Sequence, residues 1–157
     1  SAGQMIAVSR QEYTLETPKP SWVELDPEVY WQSCIQVITH VLHQSGASPD
    51  EIEALAISSQ AETLVFLDWL GKPTRRAIVW LDNRAVQEAA EIAASFARDL
   101  VYHTTGQPEV TATWPASKIL WLRHNEPAVF EKTAHFLLLE DYLLFRLTGE
   151  IVTEFAL

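Results

Sequence analysis

Ser58-Ser59-Gln60-Ala61-Glu62-Thr63-Leu64-Val65-Phe66-Leu67-Asp68, continued by Trp69-Leu70-Gly71-Lys72-Pro73 and by Ala77-Ile78-Val79-Trp80-Leu81-Asp82-Asn83-Arg84-Ala85, is the stretch that decides the fold. Residues 63–68 and 76–80 are apolar runs of strand length, and the turn carrying Gly71 makes them a hairpin-like unit. Their alternation of apolar and polar residues is imperfect, which predicts burial on both faces. The polar residues gather at the ends: Gln60 and Glu62 before the first run, Asp82 and Arg84 after the second.

Upstream, residues 54–58 form another short apolar run, predicted as a strand that ends in the polar Ser58-Ser59-Gln60. Residues 4–14, with Met5, Ile6, Ala7 and Val8 apolar, also read as a strand. Between them, Asp26-Pro27-Glu28 supplies an N-cap, a proline at the first helical position and an acid in the first turn. The helix is predicted to reach about His43, with Tyr30, Cys34, Val37, Ile38 and Val41 as its buried stripe. Ser48-Pro49-Asp50-Glu51 repeats the same start signal for a turn or two.

Downstream, the Ala-rich stretch 83–99 predicts one helix burying Val86, Ala89, Ala90, Ala93 and Phe96. Residues 104–113, broken by Gly106-Gln107-Pro108, predict a long loop, and loops of that length inside a domain are often functional. Pro115 starts a further helix, residues 126–133 a helical piece, residues 136–139 a strand, and residues 141–147 a last helix closed by Gly149. No internal repeat, low-complexity tract or linker interrupts this order, so a single domain is expected.

Composition narrows the function. The 157 residues are 48% hydrophobic, enough to bury a core without covalent staples. Eleven Lys+Arg against twenty-one Asp+Glu give a net charge of −10, which disfavours nucleic acid and anionic membranes as partners. The single Cys34 cannot form an internal disulfide, which is compatible with a reducing cytoplasm. The sequence contains no apolar run of about eighteen residues that would span a bilayer. Five histidines include the pair His40 and His43, yet no His-Glu-x-x-His, second cysteine or well-placed acid accompanies them, so no metal site is expected. Neither a Gly-x-Ser-x-Gly elbow nor a glycine-rich phosphate loop is present.

What remains is polar chemistry at strand ends. A carboxylate such as Glu62 can accept from two adjacent hydroxyls, and an amide such as Gln60 can both donate and accept, a combination suited to a polyol. The bland alternative is a solvated strand connection. Asp82 and Arg84 can serve the same end or simply cap and pair. Trp114, in the irregular loop, offers an aromatic face on which a sugar could stack.

A set of motifs, in order along nearly the whole chain, resembles the N-terminal domain of the FGGY carbohydrate kinases. They are Pro20-Ser21-Trp22-Val23-Glu24-Leu25-Asp26-Pro27 before a tryptophan-bearing helix, Ile57-Ser58-Ser59-Gln60, Leu67-Asp68 with Gly71-Lys72-Pro73, residues 77–85, Thr105-Gly106, Lys118 with Trp121, and Asp141-Tyr142-Leu143 through Leu147-Thr148-Gly149-Glu150. The resemblance implies an α/β domain of the ribonuclease H-like, actin-like ATPase type, incomplete at both ends, with residues 1–157 forming part of the substrate-side domain. It implies transfer of the ATP γ-phosphate to a hydroxyl of a sugar or polyol, with Mg2+ and a carboxylate base.

In the family the two residues after the glutamine bind substrate, here Ala61 and Glu62. Glycerol kinases carry Arg-Glu there and xylulokinases commonly Met-His, so the Ala-Glu pair assigns neither substrate. Thr113 falls near a substrate-binding tyrosine of glycerol kinases, which argues against glycerol. The family's opening strand with its Gly-Thr-rich turn and its aspartate base have no counterpart in these residues. No catalytic residue is therefore assigned, most ATP and Mg2+ ligands are expected outside the chain, and the chain alone is expected to be inactive. The expected partners are a small-molecule sugar or polyol and a C-terminal kinase domain; an unpaired sheet edge also makes a homodimer conceivable. A non-catalytic sugar-binding or regulatory module is the competing reading, and a purely structural α/β protein a third.

Overall fold

In the computed structural model, which describes residues 3–153, Val65 and Phe66 are both fully buried although they point to opposite faces of the same strand. The sheet is therefore covered on both sides. Its strands are β1 (Glu24–Leu25), β2 (Leu64–Leu67), β3 (Ala77–Ile78) and β4 (His135–Leu138), in the spatial order β1-β3-β2-β4, all antiparallel. Residues 64–67 pair with 138–135 over the full length of β2, whereas β3 meets β2 only at Leu64 and Ile78.

Helices α1 (Pro27–Ser45) and α6 (Leu139–Thr148) pack on one face, where Leu25, Val65, Leu67, Ala77 and Val79 meet Tyr30, Leu139 and Tyr142. Helix α4 (Pro115–Asn125) covers the other, where Leu64, Phe66 and Ile78 meet Trp121 and Leu122. Outside α4 lies α2 (Val86–Ser95), followed by α3 (Arg98–Thr105); α5 (Pro127–Lys132) leads into β4. Burying one aliphatic or aromatic core side chain contributes about 1.5–3 kcal/mol, so the hairpin at the centre of both faces anchors the domain.

Local signals behave as the sequence predicts. Asp26 caps α1 by accepting from Glu28 N at 2.9 Å, Pro27 occupies the first helical position, and Gly46 ends the helix in the left-handed conformation. The hairpin turn is set by Asp68, whose Oδ1 accepts from Leu70 N and Lys72 N at 2.8 and 2.9 Å. Gly71 is required there for two reasons: its φ is +74°, and a Cβ would stand 2.6 Å from Phe145 Cζ.

Several expectations are corrected. Residues 4–14 form no strand; the first backbone pairing is Glu16 with Glu24, through two hydrogen bonds of 2.9 Å. Residues 54–58 likewise form no strand, and Leu55 stays exposed. An apolar run becomes a strand only where another backbone completes its hydrogen bonds, and neither segment has one among the described residues. The helix expected over 83–99 is two helices with a break at Phe96 and Ala97, and the expected loop begins only after Thr105. On α2 the inward face is Ala85, Glu88 and Ala89, while Val86 and Phe96 are exposed. On α1 only Tyr30 of the expected stripe is fully buried, with Cys34, Val37, Ile38 and Val41 half-buried. The expected domain span of 1–157 includes residues 1–2 and 154–157, which lie outside the described ones.

Candidate functional site at the strand ends

Asp82 follows β3 across a short turn, in which its N–H donates to Val79 O at 3.0 Å, and is completely buried. Its carboxylate accepts from Val23 N at 2.5 Å, from Arg84 N and Nε at 2.9 Å and from Arg84 Nη2 at 2.7 Å. Arg84 packs against an edge-to-face tryptophan pair, its guanidinium carbon 3.8 Å from the Trp22 ring centre and 4.8 Å from that of Trp121, with the two rings 5.1 Å apart. Its Nη1 lies 2.7 Å from Glu24 Oε1 without aiming an N–H at it, a Coulombic contact rather than a hydrogen bond. Glu24 also receives Arg75 Nη2 at 2.5 Å, and Arg75 Nη1 reaches Glu126 at 2.9 Å. A chain of five alternating charges thus runs through the interior. A buried charge left without a partner is far costlier than a paired one, which explains why every member has an opposite neighbour.

The surroundings of Asp82 and Arg84 therefore place both side chains in the interior, and not on the surface where the sequence reading would have them meet a ligand. The capping role that sequence offered Asp82 is realised in modified form: it closes the turn at Arg84, and α2 begins later, at Val86.

Glu62 sits on the opposite side of the hairpin junction, just before β2, in a turn with φ +65°. A left-handed backbone at a non-glycine residue is unfavourable and persists only where its surroundings hold it. Here Lys118, from the second turn of α4, donates from Nζ to the Glu62 carbonyl at 2.7 Å and to the Val79 carbonyl at 3.1 Å. One residue further, Thr63 Oγ1 accepts from Trp80 N at 3.0 Å. Burial pulls the Lys118 pKa down to about 8, against the Glu62 and Asp82 carboxylates, which favour its charged form.

Thr113 and Trp114 lie immediately before α4. Their hairpin of hydroxyls, Thr111 Oγ1 with Thr113 Oγ1 at 2.7 Å, is fastened by Ser117 Oγ donating to Thr111 O at 2.8 Å. Trp114 is the N-cap residue of α4 and lines an apolar cavity of about 280 Å³ with Ile92, Phe96, Leu100 and Val101. Helix α4 thereby ties the Thr113–Trp114 loop to the Glu62 turn, since Lys118 is one turn beyond Trp114. Gln60 faces elsewhere. Its Nε2 donates to the Tyr30 hydroxyl at 3.1 Å, and it lines a separate cavity of about 420 Å³ with Tyr13, Cys34, Val37 and Leu143. Desolvation pushes the Tyr30 hydroxyl up to about 12, so it stays a neutral partner at ordinary pH. Ala61, between the two polar residues, is exposed.

Among the described residues no group of three or more His, Cys, Asp or Glu side chains stands close enough to hold a metal ion. No helix of the described residues is long and apolar enough to cross a membrane.

Residue-type reasoning did not single out Lys118, Glu24 or Arg75 for chemistry. A lysine among Ile119, Trp121 and Leu122 on a helix is the one available signal, because lysine is almost never fully buried unless it is satisfied by partners. Glu24 and Arg75 are distant in sequence, and only the sheet brings them together.

Residues 1–157 match the FGGY family of carbohydrate kinases, N-terminal domain. The glycerol kinase of Thermococcus gammatolerans is 34% identical over 157 residues, covering 97% of this chain and 31% of its own length. The crystal structure of xylulose kinase from Rhodospirillum rubrum superposes with a TM-score of 0.88 at 28% identity, covering 98% of this chain and 32% of that one. That of Plasmodium falciparum glycerol kinase with ADP superposes with a TM-score of 0.72 at 25% identity, over 88% and 29%. The chain therefore spans about a third of the length of the kinases it resembles. Sequence, sheet and superposition converge: this chain belongs to the FGGY family of carbohydrate kinases, in which it corresponds to the N-terminal domain.

Proposed function

We propose that the protein carrying this chain is an ATP-dependent carbohydrate kinase, which transfers the γ-phosphate of ATP to a hydroxyl of a sugar or polyol, and that these residues form part of the acceptor wall. The observation that carries the reading is the Glu62 turn: a half-buried carboxylate on a left-handed residue, fixed from behind by a fully buried lysine. Restraint of this kind is what discrimination among hydroxyl patterns requires.

In this reading Glu62 accepts from acceptor hydroxyls, Ala61 leaves room beside it, and Thr113 and Trp114 border the acceptor from the loop before α4. Gln60 braces the turn against α1 through Tyr30, while Asp82 and Arg84 act through the backbone they hold. The small Ala61 and Thr113 favour an acceptor bulkier than glycerol. Most of the residues that hold ATP and Mg2+ lie outside this chain, and so does the carboxylate base. The enzyme works in the cytoplasm, and the chain closes against a second domain of its own protein.

A coupled ATP-consumption assay of the full-length protein with pentoses, pentuloses, hexonates and glycerol tests this. Turnover of at least one acceptor, with Glu62→Gln raising the acceptor KM, is expected. Absence of turnover with every acceptor, or an unchanged KM in Glu62→Gln, overturns it.

A further inference from the structure

Lys118 is a completely buried amine that bridges two chain segments. Its two carbonyl partners come from the two arms of the hairpin at its open end: Glu62 before β2 and Val79 after β3. Backbone ties the turn end of the hairpin, through Asp68 N to Lys72 O and Thr74 N to Phe66 O, and the ladder ends toward its open end at Leu64 and Ile78, so beyond that pair side chains help to close the junction. Thr63 supplies one stitch, through Trp80 N, and Lys118 supplies the other.

The chemistry explains the choice of residue. An ammonium carries three donors on a flexible stem and can meet two carbonyls that do not lie in one plane, whereas a planar guanidinium cannot adapt in the same way. A buried ammonium is tolerable when hydrogen-bonded and near opposite charge, and the Glu62 and Asp82 carboxylates supply that field. Glu62 has the most to lose from its removal. Its φ of +65° is a conformation that the residue would leave if its carbonyl were released.

We propose that Lys118 is a positioning residue for acceptor recognition, holding the Glu62 carbonyl so that the left-handed turn aims the Glu62 carboxylate at the acceptor, without touching the acceptor itself. The inference rests on the acceptor-wall reading above. It makes the specificity of the wall a property of α4, since one helix carries both the restraint on Glu62 and the cap formed by Trp114.

Steady-state kinetics of the full-length protein with Lys118→Met, Glu62→Ala and the double variant test it. Lys118→Met is expected to raise the acceptor KM by about tenfold and the ATP KM by less than about twofold, and to add little in the Glu62→Ala background, because residues that act as a unit are non-additive. Equal rises in both KM values, or full additivity with Glu62→Ala, overturn the proposal. Should Lys118→Met fail to fold, Lys118→Arg carries the same test: an acceptor-selective rise supports positioning, and unchanged or equally raised KM values refute it. Failure of the kinase reading is distinguishable, because it appears as wild-type protein without turnover or as Glu62→Ala without effect. A crystal structure of the full-length Lys118 variant reads the geometry independently of turnover: Glu62 outside the left-handed region is expected, and Glu62 unchanged overturns the proposal.

Discussion

The interior behind the hairpin and the segments at residues 3–14 and 52–58 are opposites in one respect. In the interior, Asp82 alone takes four hydrogen bonds and Arg84 packs against a pair of touching tryptophans. In the outer segments, Met5 and Ile6 are 80% and 78% exposed, and Leu55 is 55% exposed, in chain without a ladder. Both regions are rich in strand-forming residues. The difference teaches that apolar sequence specifies the wish to be buried, while the partner backbone decides whether a strand exists.

The sharpest way to break the contrast is Asp82→Ala. It leaves Arg84 buried without its closest anion and Val23 N without an acceptor, and a cost of about 3–5 kcal/mol is expected in urea unfolding. A result below about 1 kcal/mol would mean that water or rearrangement reaches the network as easily as it reaches the outer segments.

Next comes the proton on Lys118. Its pKa in the folded protein is about 8 against an ordinary 10.5, so the unfolded chain binds the proton more tightly. Stability must then rise with pH from about 8 and level off beyond 10.5, by about 3 kcal/mol in all. Comparing wild type with Lys118→Met between pH 7.5 and 9.5 isolates this slope, below the range where Tyr30 acts in the opposite direction. A slope that persists in the variant assigns the effect to another group.

Gly71→Ala is expected to cost about 1–2 kcal/mol, since it strains the positive φ and presses a methyl against the Phe145 ring. Tyr30→Phe removes the acceptor of the Gln60 amide and should cost about 1 kcal/mol. Leu55→Lys, at the other pole of the comparison, should change stability by less than about 0.5 kcal/mol and reduce self-association in analytical ultracentrifugation. A larger loss would show that residues 52–58 pack in solution against something the described residues do not provide.

These contrasts also explain what was legible. The Asp26-Pro27 start, the Asp68–Gly71 turn and the Gly149 stop were readable because each is decided within a few residues. The burial of both faces of β2 followed from its unbroken apolar run. The strands expected at 4–14 and 54–58 misread because pairing is a property of two segments, and one segment cannot announce its neighbour. The break between α2 and α3 escaped because alanine-rich helix propensity runs past Phe96, where the backbone turns extended. At the candidate site, Glu62 was visible from its place at a strand end, whereas Lys118 stood out only as part of a family motif and its role was not legible, since its partners are two main-chain carbonyls from 39 and 56 positions away.

The alternating chain Asp82, Arg84, Glu24, Arg75, Glu126 has a further consequence for ionic strength. Mobile ions cannot reach most of these pairs, so added salt leaves their attraction largely intact. The formal charge of −10 is spread over surfaces that counterions do reach, and its self-repulsion is relieved as salt increases. Sodium chloride should therefore raise the melting temperature of this domain, although ion pairs lie at its centre.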